Sequence, residues 1–491
     1  MTTKAAGTAT GWEPVIGLEI HVQLSTKTKM FCRCALSFGD DPNVHTCPVC
    51  LGHPGTLPTV NEKAVHYGLM IAAALECEVS PQSVFARKNY FYPDLPKGYQ
   101  ISQFDLPLAG RGEFGGIGIT RAHLEEDAAK LIHTGGSGRI HGSGASLVDF
   151  NRGGTPLVEI VTEPDIRSAA EAREFAQLLR ATLRRLGVSD VNMEEGSLRV
   201  DGNISLRPAG SDTLGTKTEL KNMNSFRFLE RGIEAELSRQ RGLLDAGEPV
   251  EQETLHYDPA DGSLTPLRSK EYSHDYRYFP EPDLAPVAPT EAMISAARDA
   301  LPELPAARRD RYIAEAGIPE EAATTFAFQE AWGDYFERAL AAAEGDGGAS
   351  PTAIANWISG ELVAGLRQGG EEGDPLASKA TPEALAALAG LVEQKAISHG
   401  AGKQILAKLI AEGGDPAAIV ESEGLGQLAD SGELESVVEA AIEAEPEAAE
   451  AVRGGNEKAT GRIMGRVMKE TQGRADGGEV NRLIREKLDA K

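Results

Sequence analysis

No stretch of this 491-residue chain is apolar for long enough to cross a membrane: Leu69–Leu75, among the longest uninterrupted runs, has seven residues against the roughly 18 that a span requires. The first ten residues hold one lysine and no apolar core, so they read as a disordered start and not as a secretory leader. Cysteine is scarce, at five residues, and with neither leader nor span the expected compartment is the cytoplasm, where disulfides are disfavoured. Positive charge is short as well. Lys and Arg number 49 against 74 Asp and Glu, a net of −25, which excludes a surface that binds nucleic acid all over and leaves only local basic patches. The glycine runs Gly135–Gly138 and Gly142–Gly144 lack the Lys-Ser/Thr of a phosphate-binding loop, so neither is a P-loop, and a hairpin tip is the better reading.

What is present divides into regions. The length implies roughly three domains, and 41% hydrophobic residues suffice for real cores. Residues 1–292 carry short alternating runs, Gly-Pro turns and aromatics, which predict an α+β domain rich in antiparallel sheet. One helix stands out inside it, over Glu171–Leu186 and ended by Gly187. Beyond residue 293 the chain is Ala-, Glu- and Leu-rich at helical spacing with almost no strand signal. Gly413-Gly414-Asp415-Pro416 marks a turn that separates a helical domain, 293–410, from a small helical tail, 411–491.

The densest chemical signal is His123-Leu124-Glu125-Glu126-Asp127. Read with period two, His123, Glu125 and Asp127 share a face and Leu124 lies opposite. The pattern recurs with Glu19, His21 and Gln23 against Leu18, Ile20 and Val22, again with Arg199, Asp201 and Asn203 against Leu198 and Val200, and again with Lys217, Glu219 and Lys221. One such strand is ordinarily just half exposed to water. Four of them suggest a polar wall suited to phosphoryl transfer, in which carboxylates hold a divalent cation while Lys and Arg neutralise the transferring group. Glu19, His21, Glu125 and Glu159 are the candidate metal shell, Glu125 and Glu126 the candidate catalytic carboxylates, and Arg199, Lys217 and Lys221 the phosphate clamp. Glu159 is the single charge in Leu157–Val161, so it is either a ligand or the buried partner of Arg152 or Arg167.

Cys32-x-Cys34, twelve residues and Cys47-x2-Cys50 approach the spacing that brings four thiolates to tetrahedral zinc, in a closed structural site. Cys77 has no partner by spacing and reads as a core residue, while His45 and His53, beside the knuckle, could substitute for one of its cysteines but read better as exposed. Lys88–Gln100 sets aromatics and prolines among lysines and suits either core cladding or the clamping of a nucleotide or RNA end. Charge turns over near the end: 12 acidic against 2 basic residues over 403–450, then 10 basic against 6 acidic over 451–491. In that tail Ile463, Met464, Val467 and Met468 form an apolar stripe, with Arg462, Arg466 and Lys469 on the remaining surface, before a second helix with Val480, Leu483, Ile484 and Leu488.

Taken together, Gly17–Leu24, Cys47–Gly52, Arg87–Gln103, His123–Asp127, Asp149–Arg152, Glu159–Asp165, Met193–Ser197 and Asp275–Pro280 resemble the B subunits of the bacterial aspartyl/glutamyl-tRNA amidotransferases, in order and over nearly the whole chain. The resemblance implies a cradle domain similar to the glutamine synthetase catalytic fold, then a helical domain, then a tail that meets the tRNA. It implies ATP and Mg2+ as cofactors and a reaction in which the misattached Asp or Glu side chain is phosphorylated and then amidated. Glu19, His21, Glu125 and Glu159 would hold magnesium, and Arg199 and Asp201 would lie in the kinase pocket. Arg462, Arg466, Lys469 and Arg474 would meet tRNA phosphates. A Ser-Ser-Lys amidase signature is missing, so the ammonia would come from a glutaminase A subunit, with a small C subunit completing a heterotrimer. Ala129 and Leu255 depart from the family pattern, which has Gly and Arg there. Two other functions compete: a free-standing ligase of small carboxylic acids would not need the basic tail, and a non-catalytic tRNA scaffold would not need the acidic faces.

Overall fold

The computed structural model describes residues 11–134, 143–221, 223–269, 276–345, 348–368, 374–426, 431–471 and 474–489. The glycine runs at 135–142 and 369–373, residues 1–10 and Asp275 lie outside these. The chain divides into two compact units, 1–305 and 306–491.

Among the described residues the first unit has thirteen strands: β1 (Trp12–Gln23), β2 (Phe85–Asn89), β3 (Tyr99–Gln103), β4 (Gly112–Phe114), β5 (Ile117–Glu126), β6 (Lys130–Thr134), β7 (Ala145–Asp149), β8 (Pro156–Thr162), β9 (Leu198–Pro208), β10 (Thr218–Lys221), β11 (Glu253–Tyr257), β12 (Leu264–Ser269) and β13 (Phe279–Pro280). Eight form one sheet in the order β12-β11-β10-β9-β1-β8-β5-β4, antiparallel throughout except for β10 beside β11. Strands β13-β2-β3 make a second sheet, whose β3 lies against β5, and β6 pairs with β7 alone. The unit is therefore α+β with a large, mainly antiparallel sheet.

Period two sorts the large sheet into two faces. Leu18, Ile20, Val22, Leu124, Val158, Ile160, Leu198 and Val200 are buried on one. Helices cover that face. In α1 (Glu62–Ala74) Gly68 lies against Leu108 and Leu124, so a β-carbon there would displace their side chains, and in α3 (Phe226–Asp245) Gly232 meets Leu220 in the same way. Between them in sequence, α2 (Ala169–Arg185) packs on α3 and sets Phe175 edge-on to Phe114. Each helix starts where a side chain accepts an otherwise unpaired backbone N–H: Asn61 for α1, Ser168 for α2 and Ser225 for α3. Gly187, at φ +67°, follows α2 in the left-handed conformation that ends helices. A fourth helix, α4 (Glu291–Asp299), packs on α1 and so belongs to this unit.

The second unit is helical. It runs through α5 (Pro305–Ala314), α6 (Glu320–Phe328), α7 (Glu330–Ala342), α8 (Pro351–Asn356), a π-helical turn Trp357–Leu362, α9 (Val363–Gln368), α10 (Pro382–Glu393), α11 (His399–Glu412), α12 (Pro416–Glu423), α13 (Ser431–Ala444), α14 (Pro446–Arg453), α15 (Thr460–Glu470) and α16 (Gly477–Asp489). Two apolar clusters hold it. One gathers Tyr312, Phe326, Tyr335, Phe336, Trp357, Leu385 and Leu406 and extends through Ile419, Val420 and Leu425, so α12 packs with the helices before it. The other gathers Leu434, Val438, Ile463, Val467, Val480, Leu483, Ile484 and Leu488. Gly413 and Gly414, both at positive φ, make the turn between α11 and α12. Among the described residues no helix is long and apolar enough to cross a membrane.

Candidate functional site

The polar face of the large sheet carries a row of four side chains on four adjacent strands. Register pairs His123 on β5 with Glu159 on β8, Glu159 with His21 on β1, and His21 with Arg199 on β9. Cross-strand partners share a face and lie about 5 Å apart, so these four side chains must meet. Glu125, two residues from His123, projects into the same space. The result is a compact cluster: His21 Nε2 lies 3.7 Å from Glu125 and 3.5 Å from Glu159, and His123 Nε2 lies 3.7 and 3.5 Å from the same two carboxylates. One ligand atom from each of His21, Glu125 and Glu159 falls within 4.8 Å of the others.

Two buried carboxylates this close repel each other unless positive charge is supplied. Burial works against ionisation of Glu159, but His123, His21 and Lys88 outweigh it and hold the carboxyl well below the usual range. Glu125 is lowered in the same way, burial being overcome by His123 and His21. Burial also opposes protonation of His21, yet Glu159 and Glu125 raise it. Arg121 adds a guanidinium 3.6 Å from Glu159, and its Nε lies 3.3 Å from Nδ1 of His123, which orients the ring. The second sheet closes the cluster from above. Ser102 on β3 donates to Glu125 at 3.0 Å, and Lys88 on β2 feels Glu125 and Glu159 while its amine lies 4.8 Å over the Tyr276 ring. Negative donors aimed at one point, with cations ranged behind them, fit a divalent cation that takes carboxylate oxygens.

The remaining expected residues occupy other positions. Glu19 stands one repeat along β1, outside the three-residue cluster, and accepts from Asn203 at 2.8 Å. Arg199 is held by Asp127 through two hydrogen bonds of 3.1 Å. Asp201 binds Lys221 at 2.8 Å, and Lys221 also reaches Glu219 at 3.2 Å. Lys217 is exposed just ahead of β10. Glu126 is on the opposite face of β5 from Glu125, because neighbours in a strand point apart, and it is ion-paired there with Lys97 and accepts from the Ile101 N–H. Arg152 and Arg167, the alternative partners of Glu159, are elsewhere: Arg152 turns to Asp127 and Arg167 to Glu13. Sequence reasoning gave Ser102 and Arg121 no role and reached Lys88 only within the segment Lys88–Gln100. The one available signal was Lys88, a lysine inside a strand and followed by aromatics.

On the Glu126 side lies the cysteine knuckle. Sγ atoms of Cys32, Cys34, Cys47 and Cys50 lie within 4.8 Å of one another and none is in a disulfide. A tetrahedral zinc with bonds of about 2.3 Å sets its sulfurs about 3.8 Å apart, and Cys47 and Cys50 stand at 3.9 Å. Cys50 accepts from the Cys47 N–H at 3.2 Å and its thiol is drawn down to about 4, first by Cys32 and further by backbone and Lys29. The donor set fits zinc. Cys77 is buried in the core, as its lack of a partner implied. His45 pairs with Asp40 and His53 is exposed, so neither completes the knuckle.

In the second unit Arg462, Arg466 and Lys469 are exposed together on α15, opposite buried Ile463 and Val467, while Arg466 touches Glu445 at 3.4 Å. Arg474, beyond the helix, donates to the Thr471 carbonyl.

Residues 14–295 match the GatB/GatE catalytic domain, and residues 334–488 match the GatB domain. The chain belongs to the GatB family. Members similar to it over nearly their full length are the aspartyl/glutamyl-tRNA(Asn/Gln) amidotransferase subunits B of Thermosynechococcus vestitus (48% identical, 97% of each chain), Carboxydothermus hydrogenoformans (47%, covering 97% of this chain and 99% of that one) and Moorella thermoacetica (48%, covering 97% and 100%). Within the GatB match the catalytic-domain portion spans both the carboxylate–histidine cluster and the cysteine knuckle, and the second portion ends with the basic helix α15 and its neighbour α16.

Proposed function

We propose that this chain is the GatB subunit of a glutamine-dependent amidotransferase, an enzyme that converts Asp-tRNA(Asn) and Glu-tRNA(Gln) to Asn-tRNA(Asn) and Gln-tRNA(Gln), and that the carboxylate–histidine cluster is where the misattached side chain is activated. The observation that carries the site is the convergence of His21, Glu125 and Glu159 on one point of the polar sheet face. In the reaction, a side-chain carboxylate oxygen bonds the γ-phosphorus of ATP as the bond to ADP breaks. The nitrogen lone pair of ammonia then attacks the carbonyl carbon, phosphate leaves with its oxygen, and a proton is released from nitrogen.

His21, Glu125 and Glu159 would hold magnesium, with Glu19 next to them on β1. Bound there, the metal would neutralise charge on the phosphates and orient them. The chain's own groups do the rest. Ser102 fixes the Glu125 carboxylate, Arg121 orients His123, and Asp127 holds the Arg199 guanidinium at the end of the same row, where it would meet a phosphate of the nucleotide. Lys221 lies on the far side of Arg199 and would extend the positive wall, with Lys217 nearby. The fold is read as a cradle like that of glutamine synthetase, supported by the large, mainly antiparallel sheet with one polar face. The cysteine knuckle is read as a structural zinc site, closed to substrate.

The residues after 425, with their own apolar cluster and the exposed Arg462, Arg466 and Lys469, form the module assigned to the tRNA body. The ammonia would come from a glutaminase A subunit, joined through a small C subunit in a cytoplasmic heterotrimer. The deciding test is transamidation by the reconstituted complex on each misacylated tRNA, with glutamine and then ammonium as nitrogen donor. Absence of ATP-dependent amide formation from either donor on both tRNAs overturns the reading.

A further inference from the structure

We propose that Lys29 is the charge-compensating partner of the cysteine knuckle and that it sets how firmly the knuckle retains its metal. Four thiolates around a divalent ion carry a net charge of −2, and holding that charge away from water is unfavourable unless hydrogen-bond donors or a cation face the sulfurs. The backbone supplies one donor to Cys50, from Cys47 at 3.2 Å. The cation is Lys29. This side chain is 1% exposed, unusual for lysine, and its amine lies 3.7 Å from Cys50 Sγ and 2.9 Å from the Phe150 carbonyl. No carboxylate is within ion-pairing distance of that amine among the described residues, so the sulfur is the anionic group it faces.

The placement is enforced along the whole residue. The Lys29 N–H donates to the Cys34 carbonyl at 3.0 Å, inside the knuckle itself, and the Lys29 carbonyl accepts from Asn61, the residue that caps α1. The next N–H, of Met30, donates to Gly154 at 2.7 Å. Gly154 sits at φ +89° and a β-carbon there would come within 3.3 Å of the Lys29 chain, so the glycine leaves the corridor through which the lysine reaches the sulfurs. The Phe150 carbonyl belongs to the turn in which Arg152 approaches Asp127 at 3.8 Å, so one side chain ties the knuckle to the end of β5.

This inference rests on the zinc reading of the knuckle, and the experiment separates the two. Metal content of the purified full-length chain is measured first; a chain with no zinc overturns the zinc reading and this role with it. With zinc present, its release to a chromogenic chelator is timed for the wild type, Lys29→Met, Lys29→Gln, Lys29→Arg and the exposed control Lys27→Met. Lys29→Gln can keep a donor to Phe150 while losing the charge, and it carries the test should Lys29→Met fail to fold. Loss of a partner outside the metal's ligand set costs about 10- to 100-fold in metal affinity, so release from Lys29→Gln should quicken by that order. Lys29→Arg should restore slow release, and Lys27→Met should match wild type. Loading with cobalt gives a second signature: sulfur-to-metal charge-transfer bands should move to lower energy without the cation. Wild-type release and unshifted bands in a folded Lys29→Gln protein overturn the proposal.

Discussion

Replacing Glu125 by glutamine keeps the shape of the side chain and its hydrogen bond from Ser102, while removing one of the two charges that face the proposed metal position. Glu125 is 2% exposed and its carboxylate lies 3.7 Å from both histidines of the cluster, so water cannot readily take its place. An opposite-charge contact at about 4 Å is worth about 4 kcal/mol at an effective dielectric near 20. Allowing for rearrangement of Glu159 and the histidines, about 3 kcal/mol of that should appear in the barrier, and at about 1.4 kcal/mol per tenfold this is about two orders of magnitude in rate. The assay is amide formation on misacylated tRNA by the assembled enzyme with ammonium as nitrogen source, which bypasses glutamine hydrolysis, alongside tRNA-dependent ADP release. Both should fall together, because the defect precedes the use of ammonia. Ammonium-driven amidation within a few-fold of wild type would refute the argument and remove Glu125 from the site.

Further outcomes follow from other parts of the molecule. His21→Ala should lower the same activity, but less than Glu125→Gln, since a neutral ligand contributes less charge; an equal or larger loss in ammonium-driven assays would contradict this. The isolated protein should contain about one zinc, and Cys47→Ser should lose it and lower the unfolding temperature of the first unit, as metal binding is coupled to folding; metal analysis and thermal unfolding check both. Deleting residues 427–491 should weaken tRNA binding and lower the salt slope by about 3, at roughly 0.7–0.9 per lost phosphate contact for four basic residues, with glutaminase activity unchanged. In the helical unit, burial would raise the Glu337 carboxyl, but hydrogen bonds from Arg308 and Arg311 bring it down to about 2. Its contribution is thus present above pH 4.5 and lost as pH falls towards 2. Glu337→Gln should cost about 1–2 kcal/mol near neutrality after allowance for solvent screening, and the difference from wild type in thermal unfolding should narrow on acidification below pH 4.5.

The parts of this structure legible in the sequence are those governed by local periodicity. His123, Glu125 and Asp127 share a face, as do Glu19 with His21 and Arg199 with Asp201, because strand alternation does not depend on what packs on top. The same rule also separates Glu126 from Glu125, and grouping the two by adjacency overlooked it. Cysteine spacing disclosed the knuckle because its four residues come from two short neighbouring loops. Pairings across long separations were not legible. Asp127 meets Arg199 72 residues away, and Ser102 and Lys88 reach Glu125 only because a second sheet folds back over the first. Likewise the turn at Gly413-Gly414 was visible, but the destination of Ile419, Val420 and Leu425 depended on side chains more than 50 residues earlier, such as Trp357.

Strand β5 presents Glu125 to one side and Glu126 to the other, the first among the histidines and the second bound to Lys97 beside the cysteine loops. A single backbone segment is therefore shared property of two chemistries that never touch. Neither can be retuned by shifting β5 along its neighbours: one residue of slippage would put Glu126 in the place of Glu125 and Asp127 in the place of Glu126, or, in the other direction, Leu124 in the place of Glu125 and Glu125 in the place of Glu126. Change in this region is restricted to side-chain substitution, and perturbations introduced from opposite sides of the strand should combine non-additively although their side chains make no contact.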